Sequence, residues 1–188
     1  MGIRLGYGSF YLLCSKFPGT RHWFKINEIN SEITSLEEKV PNMGFINKTE
    51  AEIVKKLVEK FGIMKIKKDC IGVIAPYRAQ IEYLTKSLSK YEGVEINTVD
   101  KFQGRENKII ILSFVRSGSK SESEIHSELL ESINRLTVAV TRAQYKLIAI
   151  GCSRSLKTIP VTKKLIDYFK ANKMTFTMSK GELKNVLP

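Results

Sequence analysis

Arg142 ends the run Thr137-Val-Ala-Val-Thr-Arg142, and Arg135 stands seven residues before it. That spacing is close to two turns of helix, so a helical segment puts both guanidinium groups on one face of a rigid element. A guanidinium offers planar donors to phosphate oxygens and never deprotonates, which suits it to a transferring phosphoryl group. The same spacing also fits two surface arginines, or one arginine paired with Glu106. A second cluster, Thr98-Val-Asp-Lys-Phe-Gln-Gly-Arg-Glu106, gathers a hydroxyl, the backbone amides near Gly104, and the charges of Lys101, Arg105 and Glu106. Glycine admits the close approach of a phosphate, and the carboxylate can accept hydrogen bonds from a ribose hydroxyl. An ordinary charged connection between strands has the same composition. In the third cluster, Pro76-Tyr77-Arg78, the tyrosine can stack on a base and the arginine can meet a backbone phosphate. A core tyrosine beside a solvated arginine reads equally well. Ser113 opens a fourth stretch, which runs through Ser117.

These clusters need a scaffold, and the apolar pattern supplies one. Asn47 can cap a helix with Glu50 in its first turn and Ile53, Val54, Leu57, Val58 and Phe61 at helical spacing, ended by Gly62. Ile71–Ala75 is a buried-type strand stopped by Pro76, and Gln80–Leu88 is a second amphipathic helix. Val94–Asn97 and Lys108–Val115 read as strands, Asn134–Arg142 as a helix, Lys146–Ile150 as a strand and Val161–Lys170 as the last helix. Helices alternating with continuously apolar strands imply a mostly parallel sheet, whose ligands sit outside the carboxyl ends of the strands. Residues 43–175 form the expected domain. Ser117–Glu131, with Glu122, Glu124, Glu128 and Glu131, reads as an acidic surface insertion. Residues 1–42 read as a basic lead-in and polar connector with a strand at His22–Ile26, and 176–188 as a basic tail. The first 27 residues lack Asp and Glu but are too rich in glycine to make a good targeting segment.

The chain has 188 residues, the size of one domain. Its longest apolar runs are strand-length, far below the roughly 18 residues of a membrane span. Cys14, Cys70 and Cys152 are odd in number and scattered, and with only His22 and His126 beside them neither a disulfide framework nor a metal centre is expected. Thirty-one Lys and Arg against nineteen Asp and Glu leave a net charge of +12, which speaks for a polyanionic partner. The charge is concentrated late, with eleven basic residues from Asn134 onward against Asp167 and Glu182.

Four stretches in order, Ile71–Gln80, Val94–Glu106, Ile109–Ser117 and Asn134–Ala143, closely resemble the second RecA-like domain of superfamily 1B helicases. The similarity spans about Asn47 to Phe169. Thr98–Arg105, Ser113–Ser117 and Gly151–Leu156 are most similar to the eukaryotic replication helicase-nucleases of Okazaki-fragment processing. The RNA helicases of nonsense-mediated decay share the same motifs. The resemblance implies an α/β, RecA-like P-loop NTPase-type second lobe, a mostly parallel sheet flanked by helices, without a phosphate loop of its own.

It further implies that Arg142 is an arginine finger reaching the γ-phosphate across an interdomain cleft. Gly104, Arg105, Glu106 and Arg135 would serve the nucleotide, with Glu106 on its ribose side. Pro76, Tyr77, Arg78, Thr98 and Ser113 would grip single-stranded DNA, or RNA. The implied reaction is ATP-dependent 5′-to-3′ unwinding in the nucleus, with mitochondrial or cytoplasmic sites as alternatives. No Gly-x-x-x-x-Gly-Lys-Ser/Thr loop occurs in the chain, so ATP and Mg²⁺ would be held mainly by a first RecA-like lobe, in cis or in trans. The isolated chain is then expected to be inactive as an ATPase. Three scattered cysteines cannot build the four-cysteine iron–sulfur cluster of the replication enzymes. Gln144 stands where a basic residue is usual. A stand-alone nucleic-acid-binding relic of a helicase, without ATPase, is the reading from another class.

Overall fold

Ile109, Ile111, Ile148 and Ile150 pack on one side of a sheet, while Ile110, Leu112, Leu147 and Ala149 pack on the other. This two-residue alternation, apolar on both faces, is what a central strand buried between two helical layers requires. The computed structural model describes residues 10–14, 37–117 and 128–178. Its main sheet is built from β1 (Phe10–Cys14), β4 (Ile71–Ile74), β5 (Glu95–Asn97), β6 (Asn107–Ser113), β7 (Ala143–Cys152) and β8 (Thr175–Met178). The strand order is β5-β4-β6-β7-β1-β8. The first four run parallel, and β1 pairs antiparallel with both β7 and β8. A hairpin of β2 (Glu38–Val40) and β3 (Gly44–Ile46) precedes the first helix.

Helices α1 (Lys48–Ile63) and α2 (Arg78–Ser87) cover one face with Ile53, Val54, Val58, Phe61 and Leu84. On the other lie α3 (Glu128–Glu131), α4 (Ile133–Thr141), α5 (Ser153–Lys157) and α6 (Pro160–Ala171), which bury Leu130, Leu136, Ala139, Leu156, Ile166 and Phe169. The fold is therefore the expected α/β architecture with a mostly parallel sheet. Among the described residues, no helix is long and apolar enough to cross a membrane.

Several local expectations change. Asn47 caps α1 as read, its side chain accepting from the Glu50 N–H at 3.0 Å. Gly62 does not end the helix. The left-handed position falls to Lys65 at φ 59°, where Lys65 N–H bonds Gly62 O and Ile66 N–H bonds Phe61 O, the paired closure of a Schellman turn. The end of the acidic stretch is not surface either, because α3 buries Leu129 and Leu130, while 118–127 lie outside the described residues. The sheet also reaches past 43–175 at both ends, through β1 and β8, and the polar connector contributes β2. The strand expected at His22–Ile26 lies outside the described residues.

The connection from β5 to β6 governs where the candidate clusters fall. A 3₁₀ turn, Asp100–Phe102, carries the chain across one face of the sheet, and Phe102 is fully buried. Gly72 on β4 makes room for it, since a Cβ there would lie 2.9 Å from the Phe102 ring and 2.7 Å from Ile110 Cδ1. Thr98 thus stands at the carboxyl end of its strand, and Arg105 and Glu106 stand at the amino end of the next.

Candidate functional site

Parallel strands give the sheet two chemically different edges, and the candidate residues divide between them. At the carboxyl edge β4, β5 and β6 end together, with Ile74 in register with both Asn97 and Leu112. Pro76, Tyr77, Arg78, Thr98 and Ser113 belong to this edge. At the amino edge Asn107 N–H donates to Arg142 O at 3.1 Å, so the starts of β6 and β7 lie side by side. Gly104, Arg105, Glu106 and Arg142 belong there. Ligands of a parallel sheet are expected at strand carboxyl ends, yet of the candidate cluster Thr98–Glu106 only Thr98 lies there, because the Asp100–Phe102 crossover carries the rest to the opposite edge.

At the amino edge each side chain is held by a near neighbour. Arg142 caps α4, its Nε donating to Val138 O at 3.1 Å and its Nη2 to Thr141 Oγ1 at 3.2 Å. These bonds fix a half-buried guanidinium at the end of the helix. Glu106 is exposed and accepts from Gln144 Nε2 at 3.4 Å rather than pairing with Arg142. Arg105 is tied to Glu95 by a 2.7 Å ion pair on the surface. Gly104 adopts φ 78°, and a Cβ there would meet nothing within 4 Å, so open space adjoins its backbone. Tyr145, also exposed, extends this edge. Arg135 is placed apart from Arg142, near the start of α4, with Nε 3.6 Å from Asp100 Oδ1. The seven-residue spacing that aligns the two arginines on one face also separates them by about 10 Å along the axis.

The carboxyl edge is built on a buried polar floor. Arg78, the first residue of α2, is exposed, and Thr98 and Pro76 are half-buried. Tyr77 is only 7% exposed, its ring edge-on to Phe45 with centroids 5.4 Å apart and close against Gly44. A base can stack on it only if the ring leaves Phe45. Ser113 is 1% exposed, and its hydroxyl donates to Glu50 Oε2 at 2.6 Å and accepts from Gln80 Nε2 at 3.2 Å. It supports the edge from beneath instead of facing a ligand.

Glu50 organises this floor. Its Oε2 also accepts from Val115 N–H at 2.9 Å, while Asn47 Nδ2 donates to Val115 O at 2.9 Å. Gln80 returns to the backbone of Asn47, accepting from its N–H at 2.9 Å and donating to its carbonyl at 3.2 Å. Complete burial pushes the Glu50 carboxyl up to about 8, against the opposing pull of its bonds from Ser113 and Val115. These bonds hold Val115 at φ 71°, the centre of a tight turn closed by Arg116 N–H to Phe114 O at 2.8 Å. A β-branched residue rarely adopts that geometry. Sequence reading missed Glu50, Gln80, Val115 and Arg116. The available signal was a glutamate three residues after a cap, which normally indicates only a solvated first turn.

The residues present fit one side of a nucleotide, with a cation for phosphate and a carboxylate for ribose hydroxyls. They do not supply a phosphate cradle, since the turn after β4 offers Pro76, which has no N–H, and no glycine. Among the described residues no group of three His, Cys, Asp or Glu could hold a metal ion.

Residues 19–154 match the family model described as AAA domain. The chain is 37% identical over 152 residues to the DNA replication ATP-dependent helicase/nuclease of Schizosaccharomyces pombe, covering 81% of this chain and 11% of that protein. Against the Homo sapiens protein of the same name it is 37% identical over 155 residues, covering 82% of this chain and 14% of the relative. Against that of Saccharomyces cerevisiae it is 37% identical over 139 residues, or 73% and 9%. The chain spans about a tenth to a seventh of these relatives' length. With a RecA-like sheet and a matched region that spans both β4–β7 and the two edges, the chain belongs to the AAA domain family and resembles the replication helicase/nucleases.

Proposed function

We propose that this chain is the second lobe of an ATP-dependent helicase acting on DNA during replication, with 5′-to-3′ polarity and a nuclear site of action. The observation that supports this reading most is the division of charge between two edges of one rigid sheet. Gly104 adjoins open space at the amino edge, where Glu106 is exposed and Arg142 half-buried. Arg78 and Thr98 reach solvent at the carboxyl edge. A lobe with these two edges can meet a nucleotide held by a partner lobe on one side and a single strand on the other.

In this reading Arg142 is the arginine finger. Its anchoring to Val138 O and Thr141 Oγ1 sets the guanidinium before the nucleotide arrives, and its planar donors meet the charge that develops on the transferring phosphoryl group. Glu106 accepts from ribose hydroxyls, and Gly104 and Arg105 shape that side of the cleft. Arg135, paired with Asp100, steadies α4 against the crossover. A bound Mg²⁺ would supply neutralisation of the phosphate charge, and residues of a first lobe rather than of this chain would hold it. Closure of the lobes on ATP and opening after hydrolysis shift the grip of Arg78 and Thr98 along the strand.

The test is reconstitution. Adding a first-lobe protein that carries the phosphate loop should produce strand-stimulated ATP hydrolysis, absent from either piece alone and lost in Arg142→Ala. Strand binding without hydrolysis in any such mixture would instead favour a binding relic.

A further inference from the structure

The bend after β6 contains a second, unassigned arginine. Arg116 is 2% exposed, and its guanidinium lies 4.0 Å above the centre of the Phe45 ring. Its only charged partner among the described residues is Glu37, at 3.5 Å from Nη2, and its Nε and Nη1 find no acceptor there. A buried guanidinium with two unused donor atoms is costly, so the geometry calls for more acceptor than one planar carboxylate supplies.

Glu37 is held by more than Arg116. Its Oε2 accepts from Ser117 N–H at 2.7 Å and from Ser117 Oγ at 2.7 Å. A backbone amide, a hydroxyl and a guanidinium thus converge on one anion, contributed from 80 residues away in sequence. All three are general donors of the kind that position phosphates. The site follows β6 at the carboxyl edge, one strand over from the turn that carries Arg78.

We propose that Arg116 and Ser117 form a phosphate site for single-stranded nucleic acid, and that Glu37 fills it when no strand is bound. The carboxylate stands in for a backbone phosphodiester. On binding, the Glu37 side chain swings into water and a tetrahedral phosphate takes its donors, spreading acceptors over more directions than a carboxylate can. Val115 at φ 71°, fixed by Glu50 and Asn47, presents Arg116 and Ser117 in this arrangement, which gives the strained turn a purpose. Glu37 then sets a threshold for strand binding. The inference rests on the strand-binding reading of the carboxyl edge.

The experiment is a salt titration of the full chain against fluorescein-labelled oligothymidylate by anisotropy. Glu37→Gln should tighten binding several-fold, because no carboxylate then competes for the donors, with little change in the slope of log K on log salt, since the same phosphate is neutralised in both proteins. Glu38→Gln is the control. It removes the same charge one residue away, from an exposed carboxylate paired with Lys48 at 2.9 Å, and should leave the affinity close to the parent's. Adding Ser117→Ala to Glu37→Gln should cancel the gain. Equal effects of the two glutamine variants, or a gain that survives Ser117→Ala, would overturn the proposal. Binding that weakens with Arg78→Ala yet ignores Glu37→Gln would overturn it alone. No binding by any variant at low salt would overturn the strand-binding reading with it.

Discussion

The two edges of the sheet are built on different principles. At the amino edge the candidate side chains are anchored locally, Arg142 by the last turn of its own helix and Glu106 by Gln144 on the adjoining strand. At the carboxyl edge the solvent-facing residues stand over a buried network, Asn47, Glu50, Gln80 and Ser113, that joins segments 33 to 63 residues apart. Chemistry that needs one well-aimed cation can be mounted on a helix end at little cost to the fold. On the proposed function, the surface that follows a moving strand is tied to the core, so its shape and the stability of the domain are linked.

That contrast gives an ordered set of expectations. The largest is at the amino edge. With a first lobe present, Arg142→Ala should lower ATP turnover by roughly 10³-fold or more, as loss of an arginine finger does, while thermal unfolding of the chain stays close to the parent. A variant that loses activity because it unfolds would place Arg142 in the scaffold instead. Next comes the crossover that joins the edges. Gly72→Ala should cost about 1–3 kcal/mol in chemical denaturation, because the new methyl group is forced against Phe102 and Ile110. A neutral result would mean that the crossing segment yields without strain.

A further expectation, read as a pH profile, concerns the floor. Burial raises the Glu50 carboxyl to about 8, well above its unfolded value, so the folded state holds a proton that the unfolded chain releases. Its contribution is complete at acid pH and is lost as pH rises through the folded value. Stability measured by denaturation should therefore fall between about pH 5 and pH 8. Glu50→Gln should flatten that part of the profile. A profile unchanged by the substitution would assign the pH dependence to another group.

Much of this arrangement was legible beforehand. The apolar runs marked the four parallel strands, Asn47 declared its cap, and Arg142 stood at the end of a periodic segment, where helix geometry leaves little freedom. The floor was not legible. Ser113 at the end of an apolar strand looks like a residue delivered to a ligand, and only the arrival of Glu50 from α1, 63 residues away, makes it a buried partner. Tyr77 likewise follows a strand as a stacking residue would, but Phe45, on a short strand that pairs with the end of the expected connector, takes its ring. Arg105 and Glu106 were displaced for a topological reason. A nine-residue stretch that looks like one loop crosses the whole sheet because Phe102 can sit over Gly72. Burial and crossover depend on contacts distant in sequence, which a local pattern does not encode.

The division of labour between the edges is tested most directly by single-strand binding of two variants of this chain alone. Anisotropy with labelled oligothymidylate at low salt should show Arg78→Ala weakened roughly tenfold, with a shallower salt dependence, and Arg142→Ala indistinguishable from the parent. Equal weakening by both substitutions, or loss with Arg142→Ala only, would contradict the assignment of the strand to the carboxyl edge and the nucleotide to the amino edge.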